Sequence, residues 1–190
     1  MIFTANLLYT ILVLKNATYL ALVLRCKKVN ESDLMITLLT QQQGKISVLA
    51  KGVRKLRSSK KSSLETGNLI STYLVFTKGL PLLTQAVLIS DASQVRLNLT
   101  ALKNYFLLLE ILNNLLVNEE LSPVLFRQIL YLREMFLRNL SRAIIKKHFL
   151  EILHHLGYLD SNDCDGSVSH QVTQIIGRNL HSFEFLTIPV

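Results

Sequence analysis

The chain has 190 residues, 49% of them hydrophobic, with two cysteines and a formal net charge of +8. That length and apolar share can bury a real core, which excludes a wholly disordered chain, and two distant cysteines exclude a disulfide framework and point to a reducing cytosol. The charge is uneven: residues 19–91 hold eleven Lys/Arg against four Asp/Glu, whereas the rest holds ten against nine, so the first half is expected to meet nucleic acid or an anionic membrane surface.

The first fourteen residues, MIFTANLLYTILVL, are mostly apolar. They lack the basic start and small-residue cleavage site of a signal peptide. They are shorter than the roughly 20 residues that span a bilayer, and Lys15 and Asn16 follow at once. Residues 1–17 are therefore read as an extension ahead of the first domain, with a short membrane anchor as the rival reading.

Residues 18–92 read as strands. "YLALVLRCK" alternates weakly, "LMITLLT" follows the polar "NESD", and "QQQGKISVLA" turns at Gly44 into a strand over Lys45–Ala50. The last two runs predict a hairpin. "NLISTYLVFT" places Leu69, Ser71, Tyr73, Val75 and Thr77 on one face and Ile70, Thr72, Leu74 and Phe76 on the other. "KGLP" is a turn, and "LLTQAVLIS" is a fifth strand. Five short strands and one long loop predict a five-stranded antiparallel β-barrel of the oligonucleotide-binding (OB) type.

Residues 93–190 change to the helical period, so the chain as a whole is predicted to be α+β, with an all-α bundle as its second domain. In the first helix Leu102, Tyr105, Phe106, Leu109, Leu112 and Leu116 form a stripe, widened by Leu108, Ile111 and Leu115. Ser122–Pro123 predicts an N-cap and N1 pair. The following helix sets Leu125, Ile129, Leu132, Phe136 and Leu140 on one face, with Arg127, Arg133 and Arg138 away from it. A third helix from about Ser141 buries Ile145, Phe149, Ile152, Leu153 and Leu156 and stops at Gly157. Residues 160–169 read as a loop, and a short final helix is expected over 171–180.

Little argues for an enzyme. Gly52 stands alone, so no phosphate-cradling glycine loop is present. No Ser or Cys sits in a recognisable nucleophile pattern. His154, His155, Cys164 and His170 have the residue types of a zinc site but not its spacing, and exposed or core-edge histidines explain them. No metal and no cofactor are expected.

The strongest chemical signal is "AKGVRKLRSSKK", residues 50–61. Lys51, Arg54, Lys55, Arg57, Lys60 and Lys61 fall within eleven residues, and no acid lies between Asp33 and Glu65. A charge run is usually a solvated loop. This one cannot pair internally, and it joins two barrel strands, where loops form binding rims. It is interleaved with serines such as Ser58, whose hydroxyls also donate to phosphate. Arg25, Lys27 and Lys28 extend the expected track, and Lys45 and Lys78 are candidates to join it. Tyr73 and Phe76 are candidate base-stacking platforms, with a place in the core as the simpler reading.

From Ala21 onward the chain resembles the RecO family of bacterial recombination mediators. The resemblance rests on an ordered series: a first strand ending in cations, Glu31-Ser32-Asp33, Thr40 with Gly44-Lys45, then Ala50 to Ser58. It continues loosely to "FLEILHHLGYL", Phe149–Leu159, and so covers about residues 20–160. It implies an N-terminal OB domain and a helical C-terminal domain. It also implies a cytoplasmic, nucleoid-associated protein that binds single- and double-stranded DNA, anneals complementary strands and helps RecA replace single-stranded-DNA-binding protein (SSB). RecR and the acidic SSB tail are the implied protein partners, and no covalent reaction is implied. Many members carry a four-cysteine zinc site after the "LGY" segment; here only Cys164 stands in that region, so none of that type is expected. The helical domain is expected to be short relative to the family.

Arg133, Arg138, Arg142, Lys146 and Lys147 are candidate receivers of the SSB tail, read from charge and helical position alone, and a solvated helix face is the simpler reading. Two other functions stay open: a membrane-surface protein using the apolar N-terminus and the basic loop, and an unrelated OB-fold RNA-binding protein.

Overall fold

The computed structural model describes residues 16–55 and 57–158, with Arg142 described by its backbone only. The chain divides into two compact units. Of the described residues, the first holds those up to Asp91 together with Asn118–Glu120; the second holds Ala92–Val117 and those from Leu121 on.

The first unit is built from five strands, β1 (Asn16–Lys28), β2 (Leu34–Thr40), β3 (Gly44–Ala50), β4 (Leu69–Val75) and β5 (Leu82–Ser90). The long β1 serves two neighbours. Asn16–Leu22 pairs with β4 and Ala21–Lys28 with β2, across an irregularity between Val23 and Arg25. The expected β2–β3 hairpin is present, closed by Gly44 at φ 55° and by the Gln43 amide donating to Thr40 Oγ1 at 3.0 Å. The strands close into a barrel in the order β1-β2-β3-β5-β4.

One part of the expected barrel is corrected. It is not wholly antiparallel: β3 and β5 run parallel, paired at Leu49 and Leu82. The reason is counting. Strand direction alternates around an antiparallel ring, and a closed ring of five cannot alternate throughout. The seam falls between β3 and β5, neighbours in the ring but separated in the chain by β4.

Alternation along the strands fills the barrel. Ala21, Val23, Ile36, Leu38, Val48, Ala50, Ile70, Leu74 and Leu83 form its buried core. Each large aliphatic among them contributes roughly 1.5–3 kcal/mol by leaving water. Ile70, Thr72 and Leu74 share one face of β4 as expected, and that face is the inner one; Thr72 satisfies its buried hydroxyl by donating to the Gln85 carbonyl at 2.8 Å.

The second unit begins with a 3-10 turn, Ser93–Leu97, and continues through α1 (Leu99–Leu115), α2 (Pro123–Leu137) and α3 (Arg142–His155). Asn98 caps α1, its Oδ1 accepting from the Thr100 and Ala101 amides. Ser122 caps α2 by accepting from the Leu125 amide at 3.1 Å, with Pro123 in the first turn. α2 and α3 end alike, on a residue in the left-handed region, Asn139 (φ 52°) and Gly157 (φ 73°). In each case two following amides bond back to the last turn: Asn139 and Leu140 to Phe136 and Met135, Gly157 and Tyr158 to His154 and Leu153.

Most residues of the expected apolar stripes are buried; Leu102, Ile145 and Leu156 are half-buried, and two are exposed. Phe106 is 43% exposed. It shares its helix line with Glu110 and Asn113, so it belongs to the polar side of α1. Leu140 is 39% exposed, because α2 stops at Leu137 and Asn139 turns the chain away. Residues 160–169 and the helix expected over 171–180 lie outside the described residues.

Candidate nucleic-acid interface

The segment between β3 and β4 leaves the barrel at Ala50 and returns at Leu69. Its sequence reads as a polar loop, but it is fastened at several points. Val53 and Leu64 are apolar residues within a charged run, and both are buried in the barrel core. Asn68 brackets the far end: its Nδ2 donates to the Ser62 and Ser63 carbonyls, and its own carbonyl accepts from the Val23 amide. The Cys26 thiol donates to the Leu64 carbonyl at 3.2 Å.

The near end is gripped by the turn between β1 and β2. Asp33 Oδ1 accepts from the Gly52 amide at 2.8 Å, while Oδ2 accepts from Asn30 Nδ2 at 3.1 Å. The Arg54 amide donates to the Ser32 carbonyl and its guanidinium to the Asn30 carbonyl, both at 3.0 Å. The Gly52 hydrogen bond, then that of Asn30, holds the Asp33 carboxyl below its ordinary value, with the charge of Lys51 adding to it. The bond requires Gly52 at φ 68°, a conformation glycine adopts freely.

The cations fall into classes. Lys51, Lys55, Arg57 and Lys61 are exposed. Arg54 is exposed but tied to Asn30, and Lys60, half-buried as a residue, donates its ammonium to the Thr84 carbonyl on β5 at 3.0 Å. Ser58 is half-buried, its amide donating to the Lys55 carbonyl. Lys28 pairs with Leu34, which pairs with Ala50. Lys27 and Lys28, both exposed, therefore stand at the barrel end from which the basic segment departs. Arg25 is exposed further down β1, opposite Thr37.

Lys45 is not brought to this group. It pairs with Leu39 near the opposite end of β3, five residues from Ala50, which is roughly 16 Å of strand. Lys45 is half-buried, and burial lowers its pKa. Phe76 packs against the core and edge-on to Tyr19, with ring centroids 6.3 Å apart. Tyr73 stands on the half-buried outer face of β4.

Of the helix cations, Arg138 and Lys147 are exposed and Lys146 is half-buried. The Arg142 side chain lies outside the described residues. Arg133 is corrected. Its expected place is away from the apolar face, yet it is fully buried at 0% exposure. It lies between Leu132 and Glu134 on α2, where it hydrogen-bonds the Tyr105 side chain and pairs with Glu134 at 2.7 Å. A single-helix projection could not find this, because the Arg133 side of α2 is covered by α1.

Among the described residues no group of three His, Cys, Asp or Glu could hold a metal ion. Cys164 and His170 lie outside them. No helix among the described residues is long and apolar enough to cross a membrane.

Residues 14–92 match the family model described as the N-terminal part of recombination protein O. Similar curated proteins bear the name DNA repair protein RecO. That of Photobacterium profundum is 31% identical over 147 residues, 76% of this chain and 61% of the relative. That of Mannheimia succiniciproducens is 29% identical over 144 residues, 74% of this chain and 62% of the relative. That of Frankia casuarinae is 41% identical over 68 residues, 36% of this chain and 28% of the relative. The chain thus spans about three fifths or less of the length of these relatives. The first domain is thus similar to the N-terminal part of the recombination protein O (RecO) family.

Proposed function

We propose that the chain is a DNA-binding mediator of recombinational repair, with residues 18–92 as an OB-fold DNA-binding domain and residues 93–190 as a helical partner domain. The observation that carries this reading is the single-signed basic segment, fastened at the barrel mouth with Lys51, Lys55, Arg57 and Lys61 exposed. Cations held there neutralise phosphates and release counterions, which gives affinity without base preference. Holding two strands in this way lowers their mutual repulsion and lets complementary bases pair, so strand annealing follows from the same charges. Lys27, Lys28 and Arg25 continue the track down β1.

Delivery of RecA onto SSB-coated single strands, and contacts with RecR, are inferred from the family. The exposed cations Arg138 and Lys147, with the half-buried Lys146 next to Lys147 in the chain, suit an acidic tail such as that of SSB. None of these roles requires a covalent step, and they place the protein at the nucleoid in the cytoplasm.

The test is binding of single-stranded DNA across a salt series, comparing wild type with a Lys55→Ala/Arg57→Ala/Lys61→Ala triple variant. Each lost phosphate contact removes about 0.7 from the slope of log affinity against log salt. The triple variant should therefore bind more weakly, with a slope shallower by about 2. An unchanged slope would reduce the segment to a solvated surface loop. A matched RNA strand in the same assay separates DNA binding from RNA binding. Annealing of complementary strands separates a mediator from a generic binder.

A further inference from the structure

An acidic residue at the foot of a phosphate-binding loop is, by Coulomb's law alone, a defect. Asp33 is such a residue. It is in direct hydrogen-bond contact with the basic segment, its Oδ1 receiving the Gly52 amide at 2.8 Å. The same turn takes the Arg54 amide on the Ser32 carbonyl and the Arg54 guanidinium on the Asn30 carbonyl. The turn's own donors reinforce the carboxylate, Asn30 Nδ2 at 3.1 Å and Ser32 Oγ at 3.3 Å.

These bonds fix the two residues on which the direction of the segment depends. Gly52 stands at φ 68° and turns the chain immediately after β3. Arg54 lies one residue beyond Val53, which is sunk in the core. With Gly52, Val53 and Arg54 fixed in succession, Lys51 and Lys55 project from a settled backbone. Without the carboxylate the Gly52 end loses this tie, and the mutual repulsion of six cations within eleven residues acts on a looser backbone there.

We propose that Asp33 is a positioning residue for DNA binding: its carboxylate organises the basic segment, and this gain outweighs the repulsion it exerts on phosphate. The proposal rests on the DNA-binding reading above and names what keeps the binding loop in shape. A loop ordered before binding has less conformational freedom to lose when DNA arrives.

The test separates the charge of Asp33 from its acceptor. Asp33→Asn removes the charge but keeps an oxygen for the Gly52 amide. Asp33→Ala removes both, and Asp33→Glu keeps the charge but moves the oxygen by one methylene. For each variant, the dissociation constant for an oligothymidine strand is measured alongside hydrogen exchange at the Gly52 amide. Positioning predicts that affinity follows Gly52 protection. Asp33→Ala should then bind about fivefold to tenfold more weakly than wild type, in the range that preorganising a few side chains supplies, although its net charge has risen by one. Asp33→Asn should bind within about twofold of wild type, or more tightly.

If affinity instead follows charge, with Asp33→Ala and Asp33→Asn both tighter and Asp33→Glu unchanged whatever its Gly52 exchange, the proposal is overturned. Should Asp33→Ala fail to fold, Asp33→Asn and Asp33→Glu still decide, since the two readings rank them differently. Failure of the DNA reading is distinct: the triple variant lacking Lys55, Arg57 and Lys61 would then bind as wild type does, and the clamp would have no binding role to serve.

Discussion

The Arg133 guanidinium hydrogen-bonds the Tyr105 hydroxyl inside the helical unit, joining α2 to α1 through two buried side chains. Burial pushes the Tyr105 pKa up to about 12, and the positive charge of Arg133 works against that rise. The charge stays tolerable because Glu134, 42% exposed, meets it at 2.7 Å. The arginine is thus a core residue whose head reaches a solvent-facing carboxylate.

Arg133→Ala should therefore destabilise the helical unit by about 3 kcal/mol, through a cavity and an orphaned Tyr105 hydroxyl. Arg133→Met keeps most of the volume and removes the buried charge, so it should cost no more than about 1.5 kcal/mol. Urea unfolding of both variants measures this. Binding of an acidic peptide to folded Arg133→Met should match wild type, and a clear loss there would mean that the guanidinium reaches the surface.

The two helix ends make a paired prediction. Asn139 and Gly157 occupy the same position, the turn just past the helix, at φ 52° and φ 73°. Only glycine is free of strain there. Gly157→Ala should cost about 1 kcal/mol, whereas Asn139→Gly should be neutral or slightly stabilising. Thermal unfolding monitored by helical circular dichroism ranks the two, and the opposite order would contradict the left-handed termini.

Cys26 should be a slow thiol. Burial raises its pKa, Thr66 pulls it partly back by a hydrogen bond, and Glu65 adds a small further rise. The thiolate is the reactive form, so a raised pKa lowers reactivity at neutral pH. In a Cys164→Ser background, Cys26 should react with a disulfide reagent at pH 7 at least about tenfold more slowly than a free thiol. Urea should abolish the difference.

How much of this was legible in the sequence depended on how local the signal was. The β2–β3 hairpin, the faces of β4, the Ser122–Pro123 start and the Gly157 stop each rest on residues a few positions apart, and all appear as read. What was missed depends on contacts between distant segments. Val53 and Leu64 were visible as apolar residues in a charged run, but nothing local says that they reach the barrel core. Asp33 could be quoted as part of a motif, yet its partner Gly52 lies nineteen positions away. The parallel seam required closure of the ring, which no strand announces by itself. Arg133 was misplaced for the same reason, since the neighbour that buries it is another helix.

Lys45 gives the sharpest contrast between composition and placement. It sits in the "GK" pair that helped mark the family, and by charge alone it belonged with the DNA-binding residues. In the barrel it lies near the far end of β3, half-buried, with its pKa lowered by burial. Lys45→Met keeps the apolar stem and removes the charge, so it should leave affinity for single-stranded DNA and its salt slope unchanged. Its effect on stability should depend on pH with a definite sign. A lysine whose folded pKa is depressed disfavours folding while it is protonated, and this penalty is relieved as pH rises through the folded value toward the ordinary 10.5. Lys45→Met should therefore be at least as stable as wild type near neutral pH, with its advantage shrinking at alkaline pH. Denaturant midpoints at pH 7 and pH 10, set beside the salt slope, test both halves. A slope shallower by about 0.7 would instead return Lys45 to the phosphate-binding track.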